Sequence, residues 1–172
     1  MQLNLTEYLE SEGKQKQMSV SYEKEALALW PTPVALSEPF QMELTIQNLK
    51  KGEILIKGSG TVRCKAQCDR CLKDCDIEVS IDTEEIITDQ MAKNAGDPEN
   101  PGFLDGYEID TDEMIEEAAA ENFPTKILCK EDCKGICKVC GKDLNEGDCG
   151  CDQFVPDPRM AAIGEIFAKS QK

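Results

Sequence analysis

Residues 54–81 read ILIKGSGTVRCKAQCDRCLKDCDIEVSI, and their reading decides the fold. Ile54, Ile56, Val62, Cys64, Ala66 and Cys68 share one parity, and after Asp69-Arg70 the parity restarts with Cys71, Cys75, Ile77, Val79 and Ile81. Period-two alternation marks strands with one face buried. The stretch therefore predicts two long strands joined at a cysteine-bearing tip, with Gly58 and Gly60 suggesting a bulge or bend.

Upstream, Met42, Leu44 and Ile46 alternate with Gln41, Glu43, Thr45 and Gln47 in a half-buried strand, and 48–53 forms a turn. An antiparallel meander of three or more strands follows. Residues 17–22 predict an earlier strand, and Thr6 is a candidate cap for a short helix over Glu7–Glu10. Downstream, Asn, Gly, Asp and Pro dominate 89–106, which reads as a long flexible loop. A helix follows at about 110–121, with Asp110 as N-cap, Glu113 in the position of a capping box, and Met114, Ile115, Ala118 and Ala119 as its apolar face. Pro124 ends it, and a last short helix starts at Asp157-Pro158.

The expected class is α+β, mainly antiparallel β, as a meander or partly open barrel, with short helices and a small cysteine-rich zinc-binding C-terminal segment. The expected division is a β-rich domain over 1–123 and the zinc-binding segment over 124–172.

The chain has 172 residues, a formal charge of −15, ten cysteines and no histidine. A strongly acidic surface repels nucleic acid and anionic membrane over most of its area, which makes basic partners easier to accommodate. Without histidine, the Ser-His-Asp and Cys-His arrangements are excluded, as are the usual open catalytic zinc sites. The first residues carry neither a basic region nor an apolar one of signal-peptide form, and no apolar run reaches spanning length. The expectation is a cytoplasmic protein whose thiols stay reduced, where ten cysteines favour metal over disulfides.

Cys137-Lys-Val-Cys140-Gly141 has the form of a zinc knuckle, and Cys149-x-Cys151 supplies a second pair. Gly141 can take positive φ and bring backbone N–H groups near the thiolates. Four thiolates complete a closed structural site, with an iron–sulfur cluster as the runner-up metal. The earlier cluster, Cys64, Cys68, Cys71 and Cys75, looks like a second site. If Asp69-Arg70 is a two-residue hairpin turn, however, Cys68 faces Cys71 and Cys64 faces Cys75, and the pairs lie roughly 13 Å apart at ~3.3 Å per residue. One ion does not bridge that distance. The expected second site is then Cys68, Cys71, Cys129 and Cys133, with Cys64 and Cys75 a buried cross-strand pair. Four ligands from the first cluster, in an irregular loop, remain the alternative.

Lys126, Lys130, Lys134, Lys138 and Lys142 surround the later thiols, and Arg63, Lys65, Arg70 and Lys73 the earlier ones. The simplest reading is that they balance thiolate charge in water; a small RNA contact is the sharper one. The carboxylates of 105–121 read as a solvated helix face, and no phosphate loop or nucleophile motif is present.

Two stretches resemble the YceD family, which is linked to accumulation of large-subunit ribosomal RNA. One is Cys68-Asp-Arg-Cys71-Leu72. The other runs from Cys129 through Cys133, Cys137, Cys140, Gly141 and Asn145 to Cys149 and Cys151, followed by Asp157-Pro158-Arg159. The C-terminal form is similar to that of Gram-positive bacterial members, while Cys64 and Cys75 depart from the pattern. The resemblance implies a non-enzymatic factor in large ribosomal subunit biogenesis, supporting 23S rRNA synthesis, processing or accumulation. It would hold one or two zinc ions and contact ribosomal RNA or a basic ribosomal protein, with neither membrane nor DNA as partner. The rivals are a thiol redox or zinc-dependent enzyme and a general zinc-ribbon adaptor.

Overall fold

The computed structural model describes residues 1–29 and 31–152. In chain order its elements are β1 (Gln2–Asn4), α1 (Thr6–Glu10), β2 (Gln15–Tyr22), β3 (Ala26–Leu27), β4 (Val34–Leu36), β5 (Phe40–Lys50), β6 (Glu53–Gln67), β7 (Asp74–Thr88), α2 (Asp89–Lys93), β8 (Leu104–Asp105), β9 (Glu108–Asp110) and α3 (Thr111–Asn122). The expected α+β class holds: two antiparallel sheets, neither closed into a barrel, carry a few short helices. The helix expected from Asp157 lies outside the described residues.

The larger sheet is organised by β6. One edge of β6 pairs with β7 along its whole length, from Glu53↔Thr88 to Gln67↔Asp74. The other edge pairs first with β5, up to Glu43↔Ser59, and then with β4 at Ala35↔Lys65 and Leu36↔Cys64. Gly58 and Gly60 sit at this change of partner. They mark no bulge, since the β6–β7 register runs through them without a shift. Instead a Cβ at Gly58 would lie 2.6 Å from Met42 Sδ, and one at Gly60 2.7 Å from the Phe40 ring. Glycine here lets core side chains of β5 cross close over β6.

The buried parity is the one the sequence announces. Phe40, Met42, Leu44 and Ile46 on β5, Ile54, Ile56, Val62 and Cys64 on β6, and Val79, Ile81 and Ile87 on β7 share one core. Each such aliphatic side chain contributes roughly 1.5–3 kcal/mol on burial. Helix α3 covers this face with Met114, Ile115, Ala118 and Ala119. Its N-cap is Asp110, whose side chain accepts from the amides of Asp112 and Glu113. The reciprocal half of the capping box is replaced, because the Asp110 amide donates to the Phe103 carbonyl.

Three local expectations are corrected. Thr6 begins α1 and does not cap it; the Asn4 side chain accepts from the Thr6 amide. The turn after β5 is tighter than 48–53, with Lys50 paired to Glu53 around Lys51 and Gly52. The stretch 89–106 is not one long loop: Thr88 caps α2 through the Met91 amide, Asn100 donates to the carbonyls of Met91 and Asn94, and Phe103 and Leu104 enter the core. Among the described residues, no helix is long and apolar enough to cross a membrane.

Candidate metal centres

The tip of the β6–β7 hairpin is wider than Asp69-Arg70. Pairing stops at Gln67↔Asp74, so residues 68–73 form the connection. This moves the expected cysteine pairing. Cys64 stands opposite Ile77 and is buried in the sheet core, while Cys75 stands opposite Ala66 and packs against the thiols at the tip. The Cys64–Cys75 cross-strand pair is therefore overturned.

Within the connection, the Cys68 amide donates to the Lys73 carbonyl at 2.9 Å, and the Leu72 amide donates to the Cys68 carbonyl at 2.9 Å. Leu72 takes φ 60, a conformation that costs a residue with a Cβ about 1–2 kcal/mol. The later knuckle repeats this frame. The Cys137 amide donates to the Lys142 carbonyl at 2.8 Å, and the Gly141 amide donates to the Cys137 carbonyl at 2.9 Å, with Gly141 at φ 73. The Ile136↔Asp143 bridge closes this frame as Gln67↔Asp74 closes the first. The spacing of the two cysteine clusters conceals a shared local geometry.

The first knuckle meets the segment after α3. The Asp69 side chain accepts from the Ile127 amide at 2.6 Å, and the Asp69 amide donates to the Ile127 carbonyl at 2.9 Å. Arg70 Nη1 donates to the Cys133 carbonyl at 2.7 Å, and the Arg70 carbonyl accepts from the Ile136 amide at 3.1 Å. These bonds seat Cys129 and Cys133 over Cys68 and Cys71. The four sulfurs lie within 4.8 Å of one another. Cys68 and Cys133 are 3.8 Å apart, and Cys71 and Cys129 are 3.6 Å apart. A tetrahedral ion with zinc–sulfur bonds of ~2.3 Å sets its sulfurs about 3.8 Å apart, so this donor set fits zinc. Cys68, Cys71 and Cys133 are buried with Leu128 and Ile136 against them, and Cys129 is exposed.

Cys137, Cys140, Cys149 and Cys151 form a second group, again with sulfurs within 4.8 Å of one another. Only Cys137 is buried, while Cys140 is exposed and Cys149 and Cys151 are half-buried. Both four-thiol sets named from the sequence are brought together, and Cys64 and Cys75 belong to neither.

Backbone donors shape the acidity of these thiols. Burial pushes Cys68 up, but the amides of Cys129, Cys71 and Arg70 outweigh it and bring the thiol down to about 6. The amides of Cys140 and Val139, with the Cys149 thiol, bring Cys137 to about 6 as well. The Asn145 side chain leads the groups that hold Cys133 low. Desolvation and the neighbouring Cys71 thiol push Cys129 up to about 12, and Cys140 and Cys149 do the same to Cys151. At Cys71 the Lys73 amide pulls downward, yet desolvation and the Cys68 and Cys133 thiols leave it raised. Each group thus holds a readily ionised thiol beside a proton-retaining one, and an ion must displace the retained protons.

The flanking cations divide. Lys73 bridges to Asp143 Oδ2 at 2.7 Å and Glu146 Oε1 at 2.9 Å, tying the first knuckle to the second hairpin. Arg63 pairs with Glu38 and Glu78, and Lys142 donates to the Asp148 carbonyl. Among the described residues, the side chains of Lys65, Lys126, Lys134 and Lys138 make no hydrogen bond or ion pair. Sequence reading gave no role to Asp143, and Asn145 entered only as part of the family motif. Asn145 donates to Cys133 Sγ at 3.4 Å and accepts from the Lys134 amide at 2.9 Å. The Asp143 side chain accepts from the Asn145 amide at 2.8 Å, an Asx turn that the Asp-x-Asn spacing could have announced.

Residues 56–167 match the family described as large ribosomal RNA subunit accumulation protein YceD. That range contains both four-thiol groups. An uncharacterized protein of Mycobacterium tuberculosis and another of Mycobacterium bovis are each 24% identical over 128 residues, covering 73% of this chain and 61% of theirs. An uncharacterized protein of Mycobacterium leprae is 23% identical over 108 residues, covering 62% of this chain and 49% of its own. The chain thus spans about half to three fifths of the length of these curated relatives. No solved structure matches it. With the match running from near the start of β6 through every cysteine of the two groups, the chain belongs to the YceD family.

Proposed function

We propose that this protein is a non-enzymatic, cytoplasmic factor in large ribosomal subunit biogenesis that supports 23S rRNA synthesis, processing or accumulation and carries two structural zinc ions. Cys68, Cys71, Cys129 and Cys133 hold one ion, and Cys137, Cys140, Cys149 and Cys151 hold the other. The carrying observation is that two all-cysteine tetrads, each compact enough for one ion, lie inside the stretch that matches the family. Zinc bound by four thiolates has no open position for water and supplies cross-linking in place of Lewis-acid chemistry. The chain divides functionally near residue 123, into a β-body and a segment pinned onto it by metal.

Charge favours a basic ribosomal protein over bare RNA as the direct partner. The chain carries −15, and eight thiolates around two divalent ions make it more acidic still. Depletion of the protein should lower the ratio of large to small ribosomal subunits in a sucrose gradient, and an unchanged profile would sink the biogenesis reading. Elemental analysis of purified protein should give two zinc ions per chain. Thiols that react freely before chelation would favour redox chemistry instead.

A further inference from the structure

The two tetrads are joined by one small polar connector. Asn145 stands two residues past Asp143, which closes the second hairpin opposite Ile136, yet its side chain reaches back to Cys133 Sγ of the first tetrad at 3.4 Å. Its amide nitrogen also donates to Asp143 Oδ1 at 2.7 Å, and its oxygen accepts from Lys134 at 2.9 Å. Asp143 turns its other oxygen to Lys73 at 2.7 Å, in the loop that carries Cys68 and Cys71. The Leu144 amide donates to the Gly135 carbonyl at 2.9 Å, and the Ile136 amide to the Arg70 carbonyl at 3.1 Å. The bonds that bring residues 143–145 back to Lys134, Gly135, Cys133 and Lys73 require the 136–145 hairpin to be formed. That hairpin has few apolar residues to fold it, and Ile136 is its main inward one. An ion on Cys137 and Cys140 supplies the missing cross-link.

Resting on the two-zinc reading, we propose that the tetrads bind metal cooperatively, with Asn145 and Asp143 as the positioning residues that couple them. An ion at the second tetrad fixes the hairpin, which aims Asn145 at Cys133 and Asp143 at Lys73 and so completes the first tetrad's surroundings. Donors to a ligating sulfur typically change metal affinity about 10-fold to 100-fold. Linkage makes the effect reciprocal: filling the first tetrad tightens the second by the same factor.

Cobalt(II) is the probe, read by its thiolate charge-transfer absorption in competition with a chelator of known affinity. Cys137→Ser/Cys140→Ser protein gives the affinity of the first tetrad alone, and Cys68→Ser/Cys71→Ser protein that of the second alone. The overall two-ion affinity of the unaltered chain is expected to exceed the product of these two by about 10-fold or more. Repeating the cycle in Asn145→Ala protein, which keeps all eight thiols and the Asp143–Lys73 bridge, should shrink the excess, and the cycle in Asn145→Ala/Asp143→Ala protein should abolish it. An overall affinity equal to the product within twofold, with two ions bound per chain, overturns the coupling and leaves the two-zinc reading standing. Fewer than two ions on the unaltered chain overturns both. An excess left undiminished by Asn145→Ala removes Asn145 from its assigned role.

Discussion

In the first tetrad Cys71 meets Cys129 across 58 residues, whereas in the second all four thiols come from one short C-terminal stretch. The two share a knuckle frame, so the difference lies in what each closure accomplishes. Closing the longer loop costs about 1.6 kcal/mol more in chain entropy. That cost is met where Leu128 and Ile136 pack on buried thiols and where Asp69 and Arg70 bond the incoming segment. The second tetrad has little such support and exposes three of its four cysteines at least in part. One site docks a segment onto a β-body, and the other folds that segment.

The sharpest way to break this contrast is to remove one knuckle at a time. Cys68→Ser/Cys71→Ser and Cys137→Ser/Cys140→Ser should each lower zinc from two ions per chain to one, a loss on the order of 10 kcal/mol of binding free energy in zinc-finger peptides. Only the first change should open Lys126, Lys130 and Lys134 to trypsin; the second should confine new cuts to Lys138 and Lys142. Identical fragment patterns would erase the distinction.

Acid gives the next effect. Cys71 and Cys129 both hold their protons above the ordinary thiol range, so an ion entering the first tetrad at neutral pH expels at least two. Raised groups lose their protons only as pH rises, so affinity is gained upward and lost downward. Affinity should climb about 100-fold per pH unit near pH 7, measured by chelator competition. A slope of tenfold per unit or less would contradict the proton count.

A glycine pair sharpens the comparison on a smaller scale. Gly135 sits at φ 77 where a Cβ would lie 2.8 Å from the Arg70 carbonyl oxygen, while Gly141 at φ 73 faces open space. Gly141→Ala should cost about 1–2 kcal/mol from backbone strain alone, and Gly135→Ala more, because the docked backbone must also move. Thermal denaturation of the zinc-loaded protein reads both, and equal losses would mean that Gly135 does not mark a tight seat. Smallest is Leu72→Gly, which relieves the left-handed residue of the first knuckle at an exposed position. A gain of about 0.5–1 kcal/mol is expected, since the strain removed exceeds the extra entropy of glycine in the unfolded chain. A loss would show that the Leu72 side chain holds the knuckle.

Strand faces were legible because alternation on β5, β6 and β7 runs unbroken through two glycines. Register was not. The Asp69-Arg70 reading gave a connection too short by one residue on the β6 side and three on the β7 side, because the knuckle itself occupies 68–73. The resulting shift of two residues keeps every side chain on its own face. Cys64 therefore stayed buried, as expected, while its partner changed from Cys75 to Ile77. The choice of Cys129 and Cys133 survived the shift, because Cys64 stays in the sheet core and Cys75, though packed against the tip, is not among the four thiols that converge there. In 89–106 the polar composition hid a capped helix and the inward pair Phe103 and Leu104, whose burial is set by tertiary packing. Asn145 stood in the family motif, but its role was hidden for a similar reason: its contact with Cys133 joins two turns that local pattern does not relate.

The 58-residue span between Cys71 and Cys129 also sets a clock. A ribosome adding about 5–20 residues per second takes roughly 3–12 s to make the intervening chain. For that interval the nascent chain displays a two-thiol half-site at the end of its longest hairpin, able to hold an ion but unable to enclose it. The second tetrad is finished within a few seconds of its own first thiol, so the pair most open to the wrong metal or to oxidant during synthesis is Cys68 and Cys71, the pair that ends up buried.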